Sequence, residues 1–385
     1  MRNILTARRL LTPSDEILDP IVVLEDGHIT SLSSRGQMSL PEGPVTDLGE
    51  ATLAPAYFDV HIHGSAGRDV MEATPEALAT IGGFLGSHGV GAYLATTVTA
   101  EIDPTLRALS GLAKLLQQPA PGTGARPVGI HLEGPFLSHG KRGAHPERLL
   151  VEPTVALLDR FWQASEGHIK LMTIAPELPG AEAVIAHAVS LGIRISIGHS
   201  NATVEEARRG VAAGATSATH TFNAMRRFDH RDPGIVGEVL TNQDLYAELI
   251  CDGLHVDPVA VRIFWQMKGR ERGLLITDAM AAAGMPDGPY KLGELDVRVV
   301  NGTALIEENT LAGSTLTLDR GVRNFHHFTG EDLSQVVPLA TRNPAAMIGL
   351  SDQIGALAVG RRADLIALSP AGEIMQCFLG GVAQR

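Results

Sequence analysis

The sequence predicts an α/β fold, a (β/α)8 barrel of the TIM type with a small β-sandwich built from the two chain termini. Three observations carry that expectation. Eight short apolar segments, at 57–63, 90–98, 128–133, 169–175, 193–199, 215–220, 245–251 and 274–278, alternate with helical patterns through the middle of the 385-residue chain. Eight is the number a closed parallel barrel needs. Histidines and carboxylates end several different segments, and the active sites of such barrels collect at strand C-termini. Both chain ends read instead as short strands, so residues 1–52 and 349–385 are assigned to one β-domain and 53–348 to the barrel.

Taken in order, segments 21–24 and 28–32 flank Asp26-Gly27, a dipeptide suited to a tight hairpin turn, and 363–368 with 374–379 answer them at the far end. Between the termini, Thr74-Pro75-Glu76 and Asp103-Pro104 each place a capping residue before a first-turn proline, and Gly89 can end the first helix. Later helices are expected at 204–213, 258–269 and 318–328. No sequence period of roughly 20–50 residues recurs, which excludes a solenoid.

The composition describes an ordinary globular protein. Hydrophobic residues make up 44% of the chain, and no stretch approaches the roughly 20 apolar residues that span a bilayer. The N-terminus enters a strand-like pattern directly, without a signal-peptide pattern, so a cytoplasmic enzyme is expected. Cys251 and Cys377 stand far apart and suggest buried, inert thiols. A formal charge of −12 argues against nucleic acid or an anionic membrane as partner, since either needs a basic face. A small anionic substrate needs only a local cluster.

The chemistry begins in the apolar run 53–64, which closes on His61-Ile62-His63-Gly64. Alternate strand residues share a face, so His61 and His63 can converge on one point while Ile62 points away. Glu133 ends the third segment before Gly134-Pro135, His199 the fifth, His220 the sixth and Asp278 the eighth. Imidazoles and carboxylates suit zinc, iron or another divalent transition ion, and one carboxylate can bridge two ions. Asp278 can take a proton from an activated water and return it to a leaving group. Alternation puts His131 on the face of Glu133 but one layer deeper, as a supporting group only. His168, His187, His326 and His327 read as structural.

Several stretches resemble the N-acetylglucosamine-6-phosphate deacetylases of the amidohydrolase superfamily, in order and over essentially the whole chain. They are His61-Ile62-His63-Gly64, His131-Leu132-Glu133-Gly134-Pro135-Phe136, Gly198-His199-Ser200, Thr219-His220-Thr221-Phe222-Asn223-Ala224-Met225, Asp252-Gly253-Leu254-His255, Thr277-Asp278-Ala279 and Leu311-Ala312-Gly313-Ser314. The resemblance implies hydrolysis of an N-acetyl amino-sugar phosphate to acetate and the free amine, in amino-sugar catabolism. It implies that Glu133, His199 and His220 hold the principal ion, that Asp278 is the general acid/base and also a metal contact, and that His145 polarises the acetyl carbonyl. Substrate contacts would come from His145, Asn223, Ala224, Arg231, His255, Leu311, Ala312 and Gly313. One or two divalent ions per chain are implied, zinc foremost, with iron, manganese or cobalt as alternatives. The retained His61 and His63 favour a second ion shared through Glu133. A homodimer is implied too, with Arg231 reaching the phosphate in the neighbouring site. The glycine-rich loop around 138–146 reads as a mobile lid, with Lys141 and Arg142 solvated.

Two rival readings fit the residues less well: another amidohydrolase, such as a cyclic amidase or a D-aminoacylase, and a catalytically dead binding or scaffold protein on the same fold. A cyclic amidase would carry a metal-bridging modified lysine at the end of the fourth strand, but Lys170 lies near that segment's other end. A catalytically dead scaffold on this fold would have lost ligands or the acid/base residue, and none is lost.

Overall fold

The computed structural model describes residues 2–12, 15–118, 124–306 and 310–384. Eight parallel strands, Tyr57–Ile62, Val90–Thr97, Arg126–Glu133, Ile169–Ile174, Arg194–Ile197, Ser217–Ala218, Tyr246–Ile250 and Gly273–Ile276, lie side by side in sequence order. The last strand meets the first at their C-terminal ends. There the Asp278 N–H donates to the His61 carbonyl at 2.9 Å and the His63 N–H to the Ala279 carbonyl at 2.8 Å. Helices Pro75–Ser87, Ile102–Leu116, Val155–Ala164, Ala181–Ser190, Val204–Ala213, Gly234–Thr241, Pro258–Arg272 and Leu318–Thr329 cover the outside. Their apolar faces pack with one face of the strands in a continuous core that includes Ile62, Ile130, Ile174, Ile197 and Leu249.

Local chemistry explains several helix starts. The Thr74 hydroxyl accepts the Ala77 N–H at 3.2 Å with Pro75 in the first turn, and Thr203 with Glu206 forms a reciprocal cap. The second helix departs from expectation. It begins at Ile102, so Asp103 lies inside the first turn rather than capping it. A carboxylate there still favours the positive end of the helix.

The strands also stop earlier than the apolar pattern suggests. His199, His220 and Asp278 have φ of 47°, 28° and 50°, in the left-handed region that ends a ladder. Each therefore stands just beyond its strand, turned out of the pleat.

The termini build two sheets. Arg2–Thr6, Pro20–Glu25, His28–Ser34 and Val45–Asp47 make one, and Asp26 and Gly27 supply its hairpin turn at φ 46° and 82°. Arg9–Leu11, Glu16–Leu18, Thr52–Pro55, Leu365–Leu368, Ile374–Leu379 and Val382–Ala383 make the other. Leu5, Leu10, Val22, Leu53, Leu365 and Phe378 fill the space between. The apolar run 53–64 is thus two strands, one in this domain and one in the barrel.

A four-stranded antiparallel insertion follows the last barrel strand: Gly288–Leu292, Leu295–Val300, Thr303–Ile306 and Thr310–Leu311. Sequence reasoning did not anticipate it. Its inner side chains Leu292, Val297, Val299 and Ala304 pack on Val98, Met280 and Ala282, which holds the insertion against the catalytic end of the barrel.

Candidate active site

Glu133 is the hub of the site. Its strand ends on Gly134 at φ 80°, where a Cβ would run into the Thr99 hydroxyl, so the chain turns sharply and leaves the carboxylate facing the barrel mouth. Glu133 Oε1 lies 3.3 Å from Nε2 of His61, His199 and His220 alike. Oε2 lies 3.1 Å from Nε2 of His63 and 3.6 Å from Nε2 of His145. Asp278 Oδ1 faces the strand-one pair at 3.4 Å from His61 and 3.2 Å from His63. The residues named from sequence for metal and proton chemistry are brought together here, all of them buried.

The far sides of the rings fix their orientation. His63 Nδ1 and His199 Nδ1 each meet a backbone carbonyl, Thr96 O at 3.2 Å and Lys141 O at 3.1 Å. A carbonyl only accepts, so those nitrogens carry a proton and Nε2 faces inward, where it can serve as a ligand once any proton on it is displaced. His145 Nδ1 meets Thr99 Oγ1 at 2.8 Å, and His61 Nδ1 meets Glu248 Oε2 at 3.1 Å. The loop expected as a lid is tied to this shell twice, because the Ser138 N–H also donates to the His199 carbonyl. Arg142 pairs with Glu147 at 3.7 Å.

These groups fit a divalent ion. His61, His63 and Glu133 offer one compact set of donor atoms, and Glu133, His145 and His199 offer another. His220 adjoins the second set, its Nε2 2.9 Å from that of His199. His61 Nε2 and Glu133 Oε1 are buried without hydrogen-bond partners. Among the described residues no lysine or arginine pairs with Glu133. Imidazole nitrogens and a shared carboxylate that converge in this way are the donor set of zinc and related ions.

The electrostatics say the same. Burial works against charging His61 and His63, yet the Glu133 and Asp278 carboxylates outweigh it, holding His61 well above the ordinary range and His63 at about 9. In the metal-free chain, protonated rings supply the positive charge the carboxylates require. Burial would raise Glu133, but His61 with contacts from His145, His199 and His220 holds it well below the usual carboxylate range. His199 drops to about 4, chiefly through burial. His131 is likewise held neutral by burial, one layer below, where its Nε2 meets Thr173 Oγ1 at 2.8 Å.

Above the hub opens a cavity of about 560 Å³, whose walls include Gly143, Asn223, Ala224, Arg227, His255, Leu311 and Gly313. His255 is braced by Asp252, with Nδ1 2.6 Å from Oδ2. Asn223 donates to the His220 carbonyl at 3.3 Å. Two expected contacts stand apart. Ala312 is fully buried behind the wall, and Arg231 is exposed outside the cavity. Among the described residues nothing pairs with the Arg231 guanidinium: Asp232 is taken by Arg226, and Asp229 accepts the Arg231 backbone N–H and lies 3.6 Å from His230 Nδ1.

Sequence reasoning missed three charged groups. Glu248 lies fully buried in its strand and touches His61. Asp59 is fully buried too, accepts the Thr277 hydroxyl at 2.6 Å, and is pushed by burial up to about 7. Arg227 lines the cavity. Asp59 had a signal, since it shares the alternation of His61 and His63.

A (β/α)8 barrel whose strand ends gather imidazoles around one carboxylate is the arrangement of a metal-assisted hydrolase. The Amidohydrolase family model matches residues 52–383. The chain is 38% identical over 381 residues to an N-acetylgalactosamine-6-phosphate deacetylase of Escherichia coli O157:H7, covering 99% of each. It is 37% identical to an N-acetylglucosamine-6-phosphate deacetylase of Vibrio furnissii, over 97% of this chain and 93% of that one. A solved N-acetyl-D-glucosamine-6-phosphate deacetylase from Mycobacterium smegmatis, an aspartate-to-alanine variant in complex with N-acetyl-D-glucosamine-6-phosphate, superposes with a TM-score of 0.93 at 36% identity, covering 99% of both chains. The chain belongs to the amidohydrolase family, in the branch that holds the N-acetylglucosamine-6-phosphate deacetylases.

Proposed function

We propose that the chain hydrolyses the acetamide of N-acetyl-D-glucosamine 6-phosphate to acetate and D-glucosamine 6-phosphate, in amino-sugar catabolism. The observation that carries the reading is one cavity joining the Glu133 hub and Asp278 to a wall bearing Asn223, His255 and Arg227. The chain's match to deacetylases of this branch over nearly its whole length supports the substrate class.

Glu133, His199 and His220 would hold the principal ion, and His61, His63 and Glu133 a second, with zinc the ion best suited to these donors. When bound, such an ion supplies an acidified water and a Lewis-acid contact for the carbonyl. Asp278 takes the proton from the attacking water as the C–O bond forms and the carbonyl becomes an oxyanion, then delivers that proton to the amine, so that the C–N bond breaks as the carbonyl is restored. His145, steadied at Nδ1 by Thr99, directs Nε2 into the cavity and stabilises the developing oxyanion. Asn223, the Ala224 backbone, His255, Leu311 and Gly313 orient the sugar, with Ala312 setting their backbone from behind. Arg231 reaches the phosphate of a neighbouring protomer in a homodimer. Its unpaired guanidinium outside its own cavity supports that role, as do the exposed apolar side chains of Phe228 and Leu254, next in sequence to the cavity residues Arg227 and His255. A phosphorylated substrate is retained inside a membrane, which favours a cytoplasmic site of action. No helix among the described residues is long and apolar enough to cross a membrane.

A second reading is the C4 epimer, N-acetylgalactosamine 6-phosphate, favoured by the relative named for it. Acetate release from both phosphorylated epimers and from unphosphorylated N-acetylglucosamine tests both readings. The glucosamine ester should have the highest kcat/KM. A higher value for the galactosamine ester would transfer the assignment to that epimer, and no release from either ester would refute both.

A further inference from the structure

Glu248 stands in the middle of the strand Tyr246–Ile250, between buried Ala247 and Leu249, and is itself fully buried. A carboxylate in such a place is costly unless hydrogen bonds and a positive partner compensate it. Its Oε2 is 3.1 Å from His61 Nδ1 and 3.2 Å from the backbone nitrogen of His220, whereas Oε1 is buried with no partner. Among the described residues no lysine or arginine pairs with it. One oxygen therefore touches a member of each donor group: the ring of His61, and the main chain of His220 at φ 28°.

We propose that Glu248 is a positioning residue for the strand-one metal position, fixing His61 with its proton on Nδ1 and its Nε2 lone pair turned toward Glu133. The carboxylate, the imidazole and the ion then form a line in which each charge supports the next, and the outer carboxylate strengthens the ring as a ligand. Asp59 provides the contrast. It also reaches His61, but through the backbone N–H at 3.2 Å, and so leaves the ring free. The proposal rests on the reading that His61, His63 and Glu133 hold an ion.

The test is zinc binding to the full chain after chelator stripping, measured by competition with a chromophoric chelator, for the parent, Glu248→Gln and Glu248→Ala. Glu248→Gln can still accept the His61 N–H but lacks the charge, and it decides the matter if Glu248→Ala does not fold. The parent should bind two ions. Glu248→Gln, which keeps an acceptor for both N–H groups, should weaken one of them by about ten- to a hundredfold and leave the other unchanged, and Glu248→Ala, which also releases the His220 main chain, should weaken that same ion most. In a His61→Ala, His63→Ala background, adding Glu248→Gln should have no further effect on the remaining ion. Two ions bound by Glu248→Gln with parental affinities would overturn the proposal, as would equal weakening of both, which marks a general structural role. A parent that binds one ion would overturn the two-ion reading beneath it. None of these outcomes depends on which sugar is cleaved.

Discussion

Asp278 Oδ1 lies 3.2 Å from His63 Nε2, while the Asp278 backbone N–H is fixed to the His61 carbonyl at 2.9 Å. The main chain is held and the carboxylate points into the hub. Asp278→Asn should therefore fold and keep its metal yet lose on the order of a hundredfold or more in kcat, because an amide cannot accept the water's proton. Near-parental kcat in metal-replete Asp278→Asn would remove Asp278 from the acid/base role.

The two donor groups predict a count. Metal analysis should find two divalent ions per parent chain and one after His61→Ala with His63→Ala, since Glu133, His199 and His220 remain. One ion in both proteins after metal supplementation would contradict this.

Metal uptake should release protons. The carboxylates hold His63 at about 9, well above an ordinary imidazole, so near pH 7.5 an incoming ion must displace its proton. In the metal-free chain the raised value contributes stability that is fully present below about pH 6.5 and is lost as pH rises through 9. Calorimetric zinc titrations in buffers of different ionisation enthalpy should thus show release near pH 7.5 that diminishes above pH 9. Release independent of pH would count against the assignment.

Arg231→Ala should lower kcat/KM on the phosphorylated sugar by about ten- to a hundredfold and hardly change weak activity on the unphosphorylated one. Mixing Arg231→Ala subunits with Asp278→Asn subunits should restore activity, because one site of each heterodimer is intact. No recovery despite proven subunit exchange would rule out action across an interface.

Lys268 is 2% exposed and donates to the Val239 and Asn242 carbonyls at 2.9 and 2.7 Å, closing the end of the helix Gly234–Thr241. Lys268→Met leaves those carbonyls unpartnered and should cost about 1–3 kcal/mol of stability, with metal content unchanged. An unaltered denaturation midpoint would show that water replaces the ammonium.

The barrel and the hub were legible because they follow simple periods. His61 and His63 are two residues apart, and Glu133 closes an apolar strand. Glu248 carried no such mark, because a lone carboxylate in an apolar strand gains meaning only from the His61 ring across the lumen. Arg226 and Arg227 are adjacent and alike in sequence, and only the fold turns one toward Asp232 and the other toward the cavity. The 288–311 insertion was readable in principle, through the alternation Leu295, Val297, Val299. The early strand ends were not, since nothing in the residue types at His199, His220 and Asp278 announces a left-handed backbone.

The junction of the eighth strand with the first has a consequence for how the molecule comes apart. Their backbone bonds cluster at residues 61–64 and 278–279, the end where the ligands sit, so the hoop is buckled at its catalytic rim. Whatever loads the hub also tightens that buckle. On metal removal, hydrogen exchange should quicken first in these two short segments while the distant terminal sheets keep their protection, and the same unfastening would admit a chelator to the deeper ligands.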